Sequence, residues 1–137
     1  MIIVTRNILS VILGLSTIFY AVAGEEMVVI HKITTFKGES IFQVPQSLLH
    51  RIPVWNGKSR RIPVKQEDAI RIFQDAAKAE YGFIPKLREI ILSSLSELDD
   101  VYAYQAAFDI KQYPGPQSWY LLLLDGTIIR PTINHNE

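Results

Sequence analysis

Gln66-Glu67-Asp68-Ala69-Ile70-Arg71-Ile72-Phe73-Gln74-Asp75-Ala76-Ala77-Lys78-Ala79-Glu80-Tyr81 is the stretch on which the reading of this chain turns. Ala69, Ile70, Phe73, Ala76, Ala77 and Tyr81 recur at steps of three and four, which lines them along one stripe of an α-helix. Glu67 and Asp68 fall in the first turn, where negative charge suits the helix dipole. Glu67 and Arg71 stand four apart and are expected to pair, and Gly82 is placed to end the helix. A helix with one apolar stripe needs a surface to cover, and a sheet is the expected one.

The residues that follow supply it. Val101 to Ile110 alternates, with Tyr102, Tyr104, Ala106, Phe108 and Ile110 on one face and Val101, Ala103, Gln105, Ala107 and Asp109 on the other. Tyr113-Pro114-Gly115-Pro116 predicts a turn, and Ser118 to Leu124 a further strand. Asp125-Gly126 predicts a tight turn into Thr127-Ile128-Ile129-Arg130, after which Pro131 is expected to end the ladder. Leu87 to Leu98 suits either element: Leu87, Ile90, Ile91, Leu95 and Leu98 fit a helical stripe, while Ile90-Ile91-Leu92 and the serines fit a strand. The strand is the expectation.

On the N-terminal side, Met27 to Thr35 is rich in β-branched residues and predicts a strand. Gly38, Pro45, Pro53, Gly57 and Pro63 exclude a long helix between Phe36 and Val64. Asn56-Gly57 suggests a hairpin-like reversal, and the prolines are expected to confine any strands there to sheet edges.

Residues 1–24 read as a secretory signal. Arg6 is the only charge before Glu25, an apolar run extends from Ile8 to Val22, and Ala21-Val22-Ala23 is a small-x-small cleavage pattern. Cleavage between Ala23 and Gly24 is the expectation. The alternative is a retained membrane anchor, against which stand the shortness of the run and the acidic residues after it. The chain thus divides into 1–23 as signal peptide, 24–63 as an extended region with edge strands and a basic loop, and 64–137 as helix plus antiparallel meander. The fold class expected is α+β, with one main helix on a three- to four-stranded antiparallel sheet.

Composition excludes several functions. The 137 residues carry no cysteine, which removes disulfides, thiolate metal sites, a cysteine nucleophile and lipoprotein attachment together. Fourteen basic and fourteen acidic side chains cancel, so no bulk field gathers nucleic acid. No phosphate-cradling glycine loop or Gly-x-Ser-x-Gly elbow is present, and no cofactor is expected.

Val64-Lys65-Gln66-Glu67-Asp68-Ala69-Ile70-Arg71-Ile72, Tyr102-Ala103-Tyr104 and Leu122-Leu123-Leu124-Asp125-Gly126-Thr127-Ile128-Ile129 resemble small exported PepSY-like domains, related in architecture to the cystatin-like helix-on-sheet fold. The resemblance covers roughly residues 62–131 and rests on patterning. It implies a non-catalytic module, often regulatory or inhibitory, that acts in the periplasm or outside the cell. The turn Asp125-Gly126-Thr127 departs from the Asp-x-x-Thr-Gly ending of PepSY repeats. The cystatin inhibitory loop has no counterpart, since Gln43-Val44-Pro45-Gln46-Ser47 lacks its glycine and precedes the helix.

Three groups of side chains are candidates for function. His31, His50 and His135 share no metal-ligand spacing and are expected as surface or interface residues, with no metal site. Glu97, Asp99 and Asp100 form an acidic cluster that suits either a solvated turn or the carboxylates of a hydrolase. From His50 to Lys65 the chain carries Arg51, Lys58, Arg60, Arg61 and Lys65 with no acidic residue. By itself that segment is expected as a solvated basic loop whose cations blunt a sheet edge. The functional alternative, with Trp55 as its apolar contact, is a binding surface for a protein or an anionic envelope component. The leading expectation is an exported, non-catalytic binding or regulatory module. An envelope hydrolase using Asp99 and Asp100, and an accessory protein held by an uncleaved N-terminus, are the other two.

Overall fold

A computed structural model describes residues 25–35, 38–55, 57, 61–110 and 118–135 of the chain. The signal segment with Ala21, Ala23 and Gly24, and the Tyr113–Pro116 turn, lie outside the described residues.

The architecture is α+β, with one main helix and two antiparallel sheets. Strands β1 (Met27–Thr35) and β2 (Gly38–Pro45) precede a 3-10 turn at Gln46–Arg51 and the helix α1 (Gln66–Tyr81). Then come β3 (Lys86–Ser94), β4 (Tyr102–Asp109), β5 (Trp119–Leu123), β6 (Ile128–Ile129) and β7 (Thr132–His135). One sheet has the order β3-β4-β5-β6, the other β1-β2-β7.

The helix forms where its stripe predicts. Ala69, Phe73, Ala76 and Ala77 are its buried positions, and Gly82 ends it with φ at 83°. The predicted Glu67–Arg71 pair gives way to Arg71–Asp68 at 3.2 Å, a three-residue step at the exposed first turn. Leu87 to Ser94 is strand, as expected, and pairs with β4 along its length, with a bulge between Leu87 and Glu89.

The four-stranded sheet is covered on both faces. Tyr104, Ala106, Phe108, Tyr120 and Leu122 pack against α1. Ala103, Ala107, Trp119, Leu121 and Leu123 face the other way, onto Ile30, Phe42 and Val44 of the second sheet and onto Leu48 and Ile52 beyond it. Helix, four-stranded sheet and three-stranded sheet are therefore three layers with two cores between them. This explains why all five residues of β5 are buried.

Three expectations are corrected. Gly38–Pro45 is a central strand, with β1 on one side and β7 on the other, rather than an edge. Its burial alternates, with Ser40, Phe42 and Val44 inward, and its breakers bracket the ladder instead of interrupting it. Second, residues 52–55 and 61–64, on either side of Asn56-Gly57, are not strands, because Ile52, Trp55, Ile62 and Val64 are held by side-chain packing onto the two cores; Asn56 itself lies outside the described residues. Third, Pro131 ends one ladder only. Beyond it β7 crosses to the other sheet and pairs Thr132 with Ile41 and Ile133 with Ser40.

Candidate functional site

The basic segment is anchored at several points. Leu48 and Ile52 are buried in the inter-sheet core, so the 3-10 turn that carries His50 and exposed Arg51 is fixed. Trp55 lays its ring edge-on to Tyr102, with centroids 5.2 Å apart and planes at 81°. Gly57 approaches the same tyrosine so closely that a Cβ there would lie 2.9 Å from its hydroxyl oxygen. Ile62 and Val64 pack on the helix-side core, and the Tyr104 hydroxyl donates to the Val64 carbonyl at 2.9 Å.

What remains outward is a cationic and apolar rim. Arg61 and Lys65 are exposed and, with Ile62 and Gln66, line an open groove of about 440 Å3 at the start of α1. Lys65 is the helix N-cap and makes no side-chain capping bond, so first-turn amides face outward beside two cations. Glu67 and Asp68 in the same turn offset part of that potential. Val54 is 74% exposed, the most open large apolar side chain among the described residues. Lys58 and Arg60 lie outside the described residues.

Trp55 thus serves packing more than contact, although its indole nitrogen is buried without a hydrogen-bond partner among the described residues. The outward apolar group is its neighbour Val54. A sequence pattern ranks tryptophan above valine as a contact residue. Only the position of Tyr102, 47 residues on, reverses that order.

Asp99 and Asp100 lie where the sequence places them, in the turn between β3 and β4, and both are exposed. With Ser94, Leu95, Leu98 and Tyr102 they line an open groove of about 390 Å3. No histidine lines it, and no cluster of three metal-ligating side chains exists among the described residues. Tyr102 therefore joins the two charged regions, carrying Trp55 on its ring and bordering the acidic groove.

His31 is not a surface residue. It is 7% exposed, its Nδ1 accepts from the Ser96 backbone N–H at 3.0 Å, and its Nε2 donates to Gln105 Oε1 at 2.9 Å. The ring spans from β1 to β4 and to the β3–β4 turn, satisfying polar groups between the sheets. His50 is exposed, and His135 lies in β7.

A second polar cluster is not evident from the sequence. Arg130, just after β6, meets the Glu80 carboxylate in two-point contact, Nε to Oε1 at 2.8 Å and an η nitrogen to Oε2 at 3.0 Å. The same guanidinium donates to the Tyr81 hydroxyl and the Trp119 carbonyl and lies 4.0 Å above the Tyr120 ring. Tyr120 donates its own hydroxyl to Glu80 at 2.9 Å. Burial raises the ionisation of Tyr120 far above the ordinary tyrosine range, and burial is also the main cause of a rise at Tyr81. The cluster ties the C-terminal turn of α1 to β5 and the crossover, which is the work of a clamp.

No described helix is long and apolar enough to cross a membrane. Comparison with family models, curated proteins and solved structures returns no match to this chain.

Proposed function

We propose that this chain is an exported, non-catalytic binding module, and that it engages an anionic partner surface through the rim formed by Arg51, Val54, Arg61 and Lys65. The observation that carries the reading is the anchoring of the segment. Trp55 on Tyr102, Ile62 and Val64 on the helix-side core, and the Tyr104–Val64 hydrogen bond hold the backbone at residues 55 and 62–64, while Arg51, Arg61 and Lys65 are exposed. A rim pre-organised in this way loses less entropy on binding than a loose basic loop. Lys58 and Arg60 add to its charge in sequence. Export is supported by residues 1–24, and the resemblance to PepSY-like modules supports a regulatory role in the periplasm or outside the cell.

The test separates binding from folding. Arg61→Glu combined with Lys65→Glu is expected to abolish retention on anionic vesicles and on an immobilised acidic polysaccharide, because binding of this kind grows with local charge and weakens with salt. Urea unfolding should show the variant still folded, and Lys65→Glu alone, at a helix N-cap that makes no side-chain capping bond, should change the unfolding free energy by no more than ~0.5 kcal/mol. Retention that survives the double reversal removes the proposed surface.

A further inference from the structure

We propose that the outer edge of β3 is a self-pairing surface, on which a second copy of this chain adds its own β3 antiparallel about a two-fold axis at Ile91. Among the described residues β3 pairs with β4 alone, so nine residues of strand present unpaired backbone groups on the other side. The protection of this edge is uneven. Lys86, Arg88, Glu89 and the bulge after Leu87 all fall in its first half. Ile90-Ile91-Leu92-Ser93-Ser94 carries no charge, proline or bulge and keeps regular register with β4. Ile91 is 38% exposed there, on the face away from α1, while Ile90 and Leu92 are half-buried on the α1 face.

The pattern selects both the partner and the register. Antiparallel pairing of two identical edges keeps like faces together, so the axis must pass through a residue rather than between two. An axis at Ile90 sets Glu89 against Ile91 of the copy, and an axis at Leu92 sets Ile90 and Ile91 against serines. The axis at Ile91 alone matches kind with kind. Ile91 then meets Ile91 of the copy, Ile90 meets Leu92, and Glu89 meets Ser93 as hydrogen-bond acceptor to donor; the regular ladder ends before the bulge at Arg88. No like charges oppose one another. The two four-stranded sheets join into one of eight strands, with both α1 helices on the same side.

A ladder of about five residues lies at the small end of specific interfaces, so the dimer forms weakly and reversibly. Sedimentation velocity of the full-length protein over a concentration series should show it, and Ile91→Lys, which sets two cations face to face, should raise its dissociation constant at least tenfold. The cysteine-free sequence permits a sharper test. Under mild oxidation Ile91→Cys should cross-link into dimers, since directly opposed positions fall within disulfide reach. Ser93→Cys should not, because position 93 lies four residues, roughly 14 Å, from its own copy. A chain that stays monomeric up to ~1 mM overturns the proposal. So does a dimer indifferent to Ile91→Lys, or equal cross-linking at the two positions; the cysteine pair decides the matter if the lysine variant does not fold.

Discussion

Arg130 and Glu80 stand 50 residues apart in sequence, and their side chains are only 11% and 25% exposed. A charge so enclosed is tolerated because the guanidinium fork meets the carboxylate at two points and Tyr120 lies beneath it. Burial of the Tyr120 ring opposes its ionisation more strongly than the Arg130 cation favours it, and the Glu80 carboxylate that its hydroxyl shares adds to the opposition. The Tyr120 proton is therefore held more firmly in the folded than in the unfolded chain. The stability this contributes is fully present below pH ~10, the unfolded tyrosine value, and is lost as pH rises beyond it. Urea unfolding at several alkaline pH values should show the fall, and Tyr120→Phe should flatten it. An equally steep fall in Tyr120→Phe would assign the effect to other groups. His31 likewise has both ring nitrogens hydrogen-bonded between the sheets.

Among the elements, α1 is bounded by local chemistry. Gly82 ends it at φ 83°, and its amide reaches back to the Lys78 carbonyl at 2.8 Å. A Cβ at Gly82 would meet no atom within 4 Å, so Gly82→Ala isolates the cost of the left-handed backbone from any clash. That substitution should lower stability by ~1–2 kcal/mol in urea unfolding. A change below ~0.3 kcal/mol would mean that the helix end shifts to avoid the strain. β3 is decided differently. Its apolar residues fit helix and strand alike, and the β4 ladder beside it chooses the strand. An isolated short run has no such template, which is why period alone leaves it open.

At the scale of the whole molecule, the two cores make the four-stranded sheet a middle layer. Leu121 faces the three-stranded sheet and Leu122 faces α1, yet both are essentially inaccessible. Leu121→Ala and Leu122→Ala should each cost ~2.5–5 kcal/mol in denaturant unfolding, with no alternation between them. A sheet with one wet face would give one large and one small value. A cost below ~1 kcal/mol at Leu121 would therefore contradict the inter-sheet core.

The boundaries of α1, the strands β1, β4 and β5, and the turn at Asp125-Gly126 follow from sequence, because period, breakers and turn residues act over a few positions, whereas β3 takes its state from the β4 ladder. The acidic and basic groups of the candidate site were likewise legible as runs of charge. Other features were decided only by tertiary packing. These are the central place of β2, the crossing of β7 past Pro131, the burial of His31, the Glu80–Arg130 clamp, and the turning of Trp55 onto Tyr102 while Val54 faces out. Each of them joins residues far apart in the chain. Local pattern states that a face is apolar or a side chain polar, while what covers that face or answers that polar group depends on which distant segment arrives there.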